Sequence, residues 1–349
     1  VTEQASIVER AGSLDGEFEQ LQQVLSDLAD HARKRAYADW LTQQGDARGE
    51  FLKSVLDDWD AGQKELATDD TINSAWKDTC GVTLLQKLRE GKLDSLAPAI
   101  CAVARPALKI TVIPAEDEIP VGATKFGGKP DLNAEISWPQ YEGKLHTFIG
   151  QFRLEDLQQT QAGTLLPGAG LLSFFMFDDP VETGQPAAEG AEGAWQVVYS
   201  PDASRLRRCD PPKAFDEGNR LALECVIQMQ ETLDLPNVNT YELDRDYADQ
   251  FIACRRAKSL GLQKEHGDAY EAILEALLPE REERSHLMGW SHPQVLADDP
   301  VEENYRHLLT VASEEILEWC WADGHQLFFS LSPDDLSAGE FEHVAITDG

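Results

Sequence analysis

Thr124-Lys125-Phe126-Gly127-Gly128-Lys129-Pro130-Asp131-Leu132 opens the stretch that decides the fold. Trp138-Pro139, Phe148-Ile149-Gly150-Gln151-Phe152 and Gly170-Leu171-Leu172-Ser173-Phe174-Phe175-Met176-Phe177 complete it. Two short apolar runs, each bounded by turn residues, follow a glycine–proline turn, which is the pattern of β-strands in a sheet. The second run is apolar on both faces and predicts a central strand. Gly127-Gly128 lacks the Walker spacing and the following Lys-Ser/Thr of a phosphate loop, so it reads as a tight turn with positive φ. Gln151 interrupts an apolar run, and its amide must find partners, by default structural ones.

Downstream, residues 178–194 form a Gly/Pro/Glu-rich loop, and Trp195 to Tyr199 predicts a strand closing at Pro201. Arg205, Arg207 and Arg208 are a basic cluster, read as pairing with the acid-rich C-terminal third. Leu221 to Met229 alternates as a strand should, a polar linker with Pro236 follows, and 246–260 and 270–278 are helical in pattern. His286-Leu287-Met288-Gly289-Trp290-Ser291-His292-Pro293-Gln294 then echoes the Phe126–Asp131 turn. His307 to Val311 parallels Phe148 to Phe152, and Gly324 to Leu331 parallels Gly170 to Phe177. Such self-similarity marks a duplicated unit. Phe341 to Ile346 supplies a last strand.

Upstream, the periodicity is helical. Leu21, Val24, Leu25, Leu28 and Ala32 share one face, and Tyr37, Trp40 and Leu41 lie on a helix that stops at Gly45. Asp46 suits the N-cap of the next helix, which carries Phe51, Leu52, Val55, Leu56 and Trp59. Leu84 to Leu96 predicts another, ending at Pro98. Together these features give an α+β chain: an all-helical domain over 1–100, then a mixed or antiparallel sheet domain over 101–349. Its two similar halves, an internal duplication with flanking helices, cover about 105–215 and 216–349.

Composition narrows the function. The chain has 349 residues and 42% hydrophobic content, enough for a sizeable core, and no apolar run of membrane-spanning length. It opens on Val1, which points to a trimmed or processed chain, and its start is not a signal peptide. The six cysteines show no zinc-ligand spacing and read as buried free thiols of a reducing, cytoplasmic compartment. The formal net charge is −33, and residues 216–349 hold 9 basic against 29 acidic side chains. Such a surface repels nucleic acid and anionic membrane and attracts basic partners.

Two resemblances follow. Ala36-Tyr37-Ala38-Asp39-Trp40-Leu41 with Gly45-Asp46-Ala47-Arg48-Gly49-Glu50-Phe51-Leu52 resembles the signature of the bacterial repeat-companion domain, over about 20–60. It implies no known activity. On the residues themselves, Tyr37, Trp40 and Phe51 pack a helical hairpin, and Arg48 forms a structural ion pair. From about 105 to 349 the chain resembles the YwqG-like family, a bacterial family of unknown function. The carriers are Lys125 to Leu132, Trp138-Pro139, Phe148 to Phe152, Gly170 to Phe175, His286 to Gly289 with Pro293-Gln294, and Gly324 to Leu331. That resemblance implies an α+β fold of two similar halves and no established enzyme activity. Members in toxin gene clusters imply an immunity-type role.

No catalytic set can be assembled. There is no G-x-S-x-G elbow, carboxylates are too abundant to single out a pair, and Cys320, between Trp319 and Trp321, reads as buried. His286 and His292, with Asp298 and Asp299 beyond, could bind zinc, but their spacing fits no metal signature and a turn-stabilising role is preferred. No metal and no cofactor are therefore expected, and the chain leans away from an enzyme. Its expected function is a non-catalytic acidic module that binds a basic protein, as an immunity-type protein neutralising a basic toxin would. Glu302, Glu303, Glu314, Glu315, Asp334 and Asp335 are the candidate contacts. The alternative is a small-molecule-binding protein or enzyme with a cleft between the halves, lined by Lys125, Gly127, Gly128, Gln151, Gly289, Trp290, His292 and Gln294.

Overall fold

The computed structural model describes residues 7–177, 194–213, 221–281, 283–292, 305–321 and 324–348. No helix among them is long and apolar enough to cross a membrane. The N-terminal part holds β1 (Ile7–Glu9), α1 (Glu17–Leu25), α2 (His31–Gln43), α3 (Ala47–Asp60), α4 (Ser74–Thr79), α5 (Val82–Glu90) and α6 (Ala97–Val103). Gly45, at φ 76°, follows α2 in the left-handed conformation that ends helices. Asp46 caps α3 by accepting from Arg48 N at 2.9 Å. Arg48 pairs with Asp46 and with the buried Glu17, each at 2.7 Å, and Tyr37 donates to the same Glu17 at 2.6 Å.

Two helix expectations need correction. Ala32 belongs to α2 and not to α1, because Asp30 accepts from Ala32 N and Arg33 N and starts a new helix. Pro98 lies in the first turn of α6, where no intrahelical partner for its missing N–H is needed; it begins a helix and does not end one.

The rest of the chain supplies β2 (Arg105–Pro114), β3 (Lys125–Phe126), β4 (Asp131–Asn133), β5 (Gln140–Tyr141), β6 (Lys144–Leu145), β7 (Thr147–Arg153), α7 (Leu154–Leu157), β8 (Leu171–Met176), β9 (Trp195–Ser200) and β10 (Leu206–Arg208). There follow β11 (Cys225–Asp234), α8 (Ile252–Ser259), α9 (Gly267–Leu277), β12 (His286–Met288), β13 (Arg306–Ala312), β14 (Gln326–Leu331), α10 (Pro333–Ala338) and β15 (Ala345–Asp348). One large sheet runs β15-β14-β13-β12-β2-β11-β3-β7-β8-β9, antiparallel throughout, and β1 adds to β11 in parallel. The long strands β2 and β11 pair over ten residues at its centre. Beside them β3 lies against β11, and β12 lies against β2.

The sheet curls until it nearly closes. Phe174 on β8 and Phe329 on β14 meet edge-to-face at 5.2 Å, and Phe126 lies 5.7 Å from Trp319. The Trp195 indole on the edge strand β9 donates to the Val344 carbonyl just before the opposite edge, β15, at 2.6 Å. Alternate residues fill the enclosed space, among them Leu108, Ile110, Ile227, Met229 and Leu309. Outside the centre of the sheet, Leu52, Trp76 and Leu85 of the N-terminal helices share one apolar cluster with Leu233, Tyr270 and Ile273. The strand Leu171–Met176 is thus buried on both faces without being central: it lies one strand in from the edge. Phe174 faces the enclosed core, while Phe148 and Trp138 cover Phe175.

Other boundaries shift too. The strand expected over 221–229 is Cys225–Asp234, so Asp234 belongs to the sheet and not to a linker. Cys320 is exposed, because the chain alternates there and buries Trp319 and Trp321 instead. Of the six free cysteines, Cys80, Cys101, Cys225 and Cys254 are buried and Cys209 is half-buried. The 178–194 loop, apart from Ala194, lies outside the described residues.

Candidate functional site

Two polar clusters flank the central strand pair, one beside β3 and one beside β12, separated by β2 and β11, or roughly 14 Å at usual strand spacing. In the first, Lys125 donates to Glu224 Oε1 at 2.5 Å and to the Lys129 carbonyl at 2.6 Å. Arg208 donates to Asp131 at 2.5 Å and to Glu224 at 3.0 Å. The Gln151 amide donates to Asp131 Oδ2 and to the Ala123 carbonyl, both at 2.7 Å, and its oxygen accepts from Asp131 N at 3.0 Å. Burial pushes the Lys125 ammonium below its ordinary range, with Glu224 and Asp131 opposing. Gly127 and Gly128 make the turn beside it at φ 64° and 67°. A Cβ on Gly127 would lie 2.1 Å from the Leu223 carbonyl oxygen. Here the basic cluster pairs mostly locally: Arg205 meets Glu135 at 2.5 Å and Arg208 meets Asp131, while Glu224 is a partner from the acid-rich third.

The second cluster gathers around Asp234, the last residue of β11. Trp290 N and Leu235 N donate to its two oxygens at 2.7 and 2.8 Å. His292 Nε2 lies 2.9 Å from Oδ2, and His292 Nδ1 lies 3.2 Å from Asn237 Oδ1, which also accepts from Arg281. His286, first residue of β12, places Nε2 2.9 Å from the Trp290 carbonyl, and its ring centre is 5.6 Å from that of His292. The His307 ring lies 4.9 Å from that of His286, tilted by 44°, and is bonded to Thr310 at 2.9 Å. The Met288-Gly289 turn has φ 60° and 82°, and a Cβ on Gly289 would lie 2.7 Å from Asp234 Oδ2. Trp290 is held by a bond from its indole N–H to the Val103 carbonyl at 3.0 Å.

All of these histidines are buried. Burial pushes His286 down to about 4 against the opposing pull of Asp234. Burial also lowers His292, which Asp234 only partly offsets, and puts His307 well below its ordinary range. Burial works against ionisation of Asp234, but His292, His286 and the Trp290 N–H outweigh it and hold the carboxyl low.

Lys125, Gly127, Gly128 and Gln151 therefore come together in one cluster, and Gly289, Trp290 and His292 in the other, while Gln294, Glu302 and Glu303 lie outside the described residues. Glu314 is half-buried where its backbone pairs with that of Trp319, and Glu315 is exposed in the following 3-10 turn. Asp334 is exposed in the first turn of α10, and Asp335 accepts from the Ser332 hydroxyl at 2.8 Å. Asp234, Asn237 and His307 escape a reading along the chain, because they join the site from separate strands and a loop. Three histidines on runs otherwise apolar were the one available signal.

Two surface depressions complete the picture. A polar groove of about 300 Å³ lies where β2 meets β11, lined by Lys109, Thr111, Gln228, Gln230 and Arg284. A groove of about 410 Å³ runs along α9, lined by Val238, Tyr241, Asp268, Glu271, Ala272 and Glu275.

A nearly closed antiparallel sheet with a helical N-terminal part and two buried polar clusters defines the class of protein. The chain belongs to the DUF1963 family, a domain of unknown function, whose family model matches residues 124–348. It is the YwqG-like family of the sequence resemblance. No curated protein matches the chain.

Proposed function

We propose that this protein is a non-catalytic acidic module that docks a basic segment of another protein, as an immunity-type inhibitor would. The observation that carries the reading is the groove along α9, where Asp268, Glu271 and Glu275 line one side of a depression that Val238, Ala272 and Tyr241 make partly apolar. Carboxylates beside apolar contacts suit a lysine- or arginine-rich segment, whose long stems bury while their charges pair. The −33 net charge steers such a partner from a distance. Glu315 and Asp334 are exposed as well and add to the acidic surface of the molecule. Six free cysteines support a cytoplasmic setting.

The probe is a lysine-rich amphipathic peptide, titrated in about 20 mM and about 300 mM salt. Binding at low salt should weaken more than about tenfold at high salt. The double reversal Glu271→Lys, Glu275→Lys should abolish it, and Glu142→Lys, on the β5–β6 turn, should leave it intact. Equal losses in both variants would mean non-specific charge attraction and reject the docking groove.

A second reading, a small polar ligand in the β2–β11 groove, draws on the side chains that converge there, Lys109 and Arg284 among them. We further propose that the two halves are duplicated units. Lys125-Phe126 and His286-Leu287 each precede a pair of positive-φ residues and each pair with a bulged strand, β7 at Phe148/Gly150 and β13 at His307/Leu309. We propose as well that the N-terminal helices are a repeat-companion domain, supported by the Asp46 cap and the Arg48 pairing of its motif.

A further inference from the structure

We propose that Asp234, His286 and His292 form a buried binding site for a zinc-class transition-metal dication, independently of the docking role. One donor atom from each lies within 4.8 Å of the other two. The three residues are at most 1% exposed and come from a strand end, a strand start and the turn after it, all held by the sheet. Two of the hydrogen bonds in the cluster hold pairs of donor atoms at metal-ligand spacing: His292 Nε2 to Asp234 Oδ2, and His286 Nε2 to the Trp290 carbonyl, each 2.9 Å. Bonds of about 2.0–2.2 Å to one ion between such atoms need only small contractions of the cluster. A dication would take the place of the protons now shared in these bonds and leave the Trp290 oxygen as a fourth donor.

Two further features fit a metal better than a simple turn brace. Asn237 receives the outer ring nitrogen of His292, the arrangement that orients a metal-ligating imidazole. Two backbone N–H groups fix the Asp234 carboxylate in place. Two imidazoles with one carboxylate favour zinc, nickel or copper over magnesium or calcium. With all three ligands buried, the ion would tie β11 to β12 and not meet a substrate.

The test uses the full chain, stripped with chelator, incubated with Zn²⁺ and desalted, with metal measured by mass spectrometry. About one zinc per chain is expected. Asp234→Asn and His292→Gln should each retain less than about a tenth of that. His343→Ala should keep it all; that residue belongs to the mostly exposed Asp335–Glu340–His343 group, whose donors are also within 4.8 Å of one another. Loss in His343→Ala with retention in Asp234→Asn would place the metal elsewhere and overturn the proposal. In case the Asp234 or His292 variants fail to fold, the wild-type chain is loaded with Co²⁺. Visible d–d absorption of a low-symmetry nitrogen–oxygen site is expected, together with a zinc-dependent rise in Tm. A folded wild-type chain that takes up neither ion sinks the idea.

Discussion

At the scale of single residues, burial of charge divides the N-terminal helices into a paired and an unpaired case. Arg48 and Glu17 are tied to each other, to Asp46 and to Tyr37, so each charge has partners. Lys34 is 1% exposed and donates to the Leu28 carbonyl, and among the described residues no carboxylate comes within ion-pair distance of it. Burial lowers its ammonium below the ordinary 10.5, and Cys101, Cys80, Asp27 and Asp30 oppose only in part. Between that lowered value and 10.5 the unfolded chain holds more protons than the folded one, so Lys34 costs stability at neutral pH and the cost fades as pH rises. Lys34→Met should raise stability at pH 7 by about 1–3 kcal/mol and flatten the rise of stability between neutral pH and about 10. Urea melts across that range would measure both. A destabilised variant with an unchanged pH slope would show that the ammonium is already satisfied. In the sequence Lys34 is one of three adjacent cations on a helix; helical spacing sets it on the face of Tyr37 and Leu41, away from Arg33 and Arg35, but its charge argues for solvent, and the sequence does not decide between the two. The Arg48 pairing was legible from its motif, but its main partner, Glu17, lies 31 residues away and was not.

At the scale of elements, the turn after β3 couples backbone conformation to packing. Gly45 and Gly127 both have positive φ, 76° and 64°. At Gly45 an added Cβ meets nothing within 4 Å, whereas at Gly127 it meets the Leu223 carbonyl at 2.1 Å. Gly45→Ala should cost about 1–2 kcal/mol, the ordinary penalty of a left-handed L-residue. Gly127→Ala should cost roughly 2 kcal/mol more, because the turn must also move away from the strand that leads into β11. Equal urea midpoints for the two variants would mean that the chain at 221–224 gives way freely. The positive-φ turn at Gly127-Gly128 was legible, since only glycine tolerates it cheaply. Its closeness to Leu223, which makes it costly to change, was not.

At the scale of the whole molecule, net charge and sheet closure oppose each other. A formal charge of −33 on one compact chain repels itself, and the near-closure of the sheet holds its acid-rich second half beside the first. Tm should therefore rise as NaCl goes from about 10 to about 150 mM, where the Debye length shrinks to about 8 Å. A Tm that falls or stays level over that range would mean that surface ion pairs, which salt weakens, outweigh the net repulsion. The pairing of β3 with β11 and of β12 with β2 ties the two parts together, because each short strand lies against a long strand about 100 residues or more away in the chain.

Much of the local architecture followed from the sequence alone. Helices α1, α2, α3 and α5, the strands around Phe148–Phe152 and Leu171–Met176, the Asp46 cap and the glycine turn were legible from period and turn chemistry along the chain, whereas α4 and α6 were not. The family, too, was legible in the motif from Lys125 to Leu132. Only the tertiary structure decided that the strands join in one sheet and that the sheet nearly closes. It also decided that Asp234, His286 and His292 meet, that Lys34 is buried and that Cys320 is not. The physical reason is common to all of these: strand pairing and burial are set by contacts between residues tens to hundreds of positions apart, and along the chain such pairs leave no local period to read.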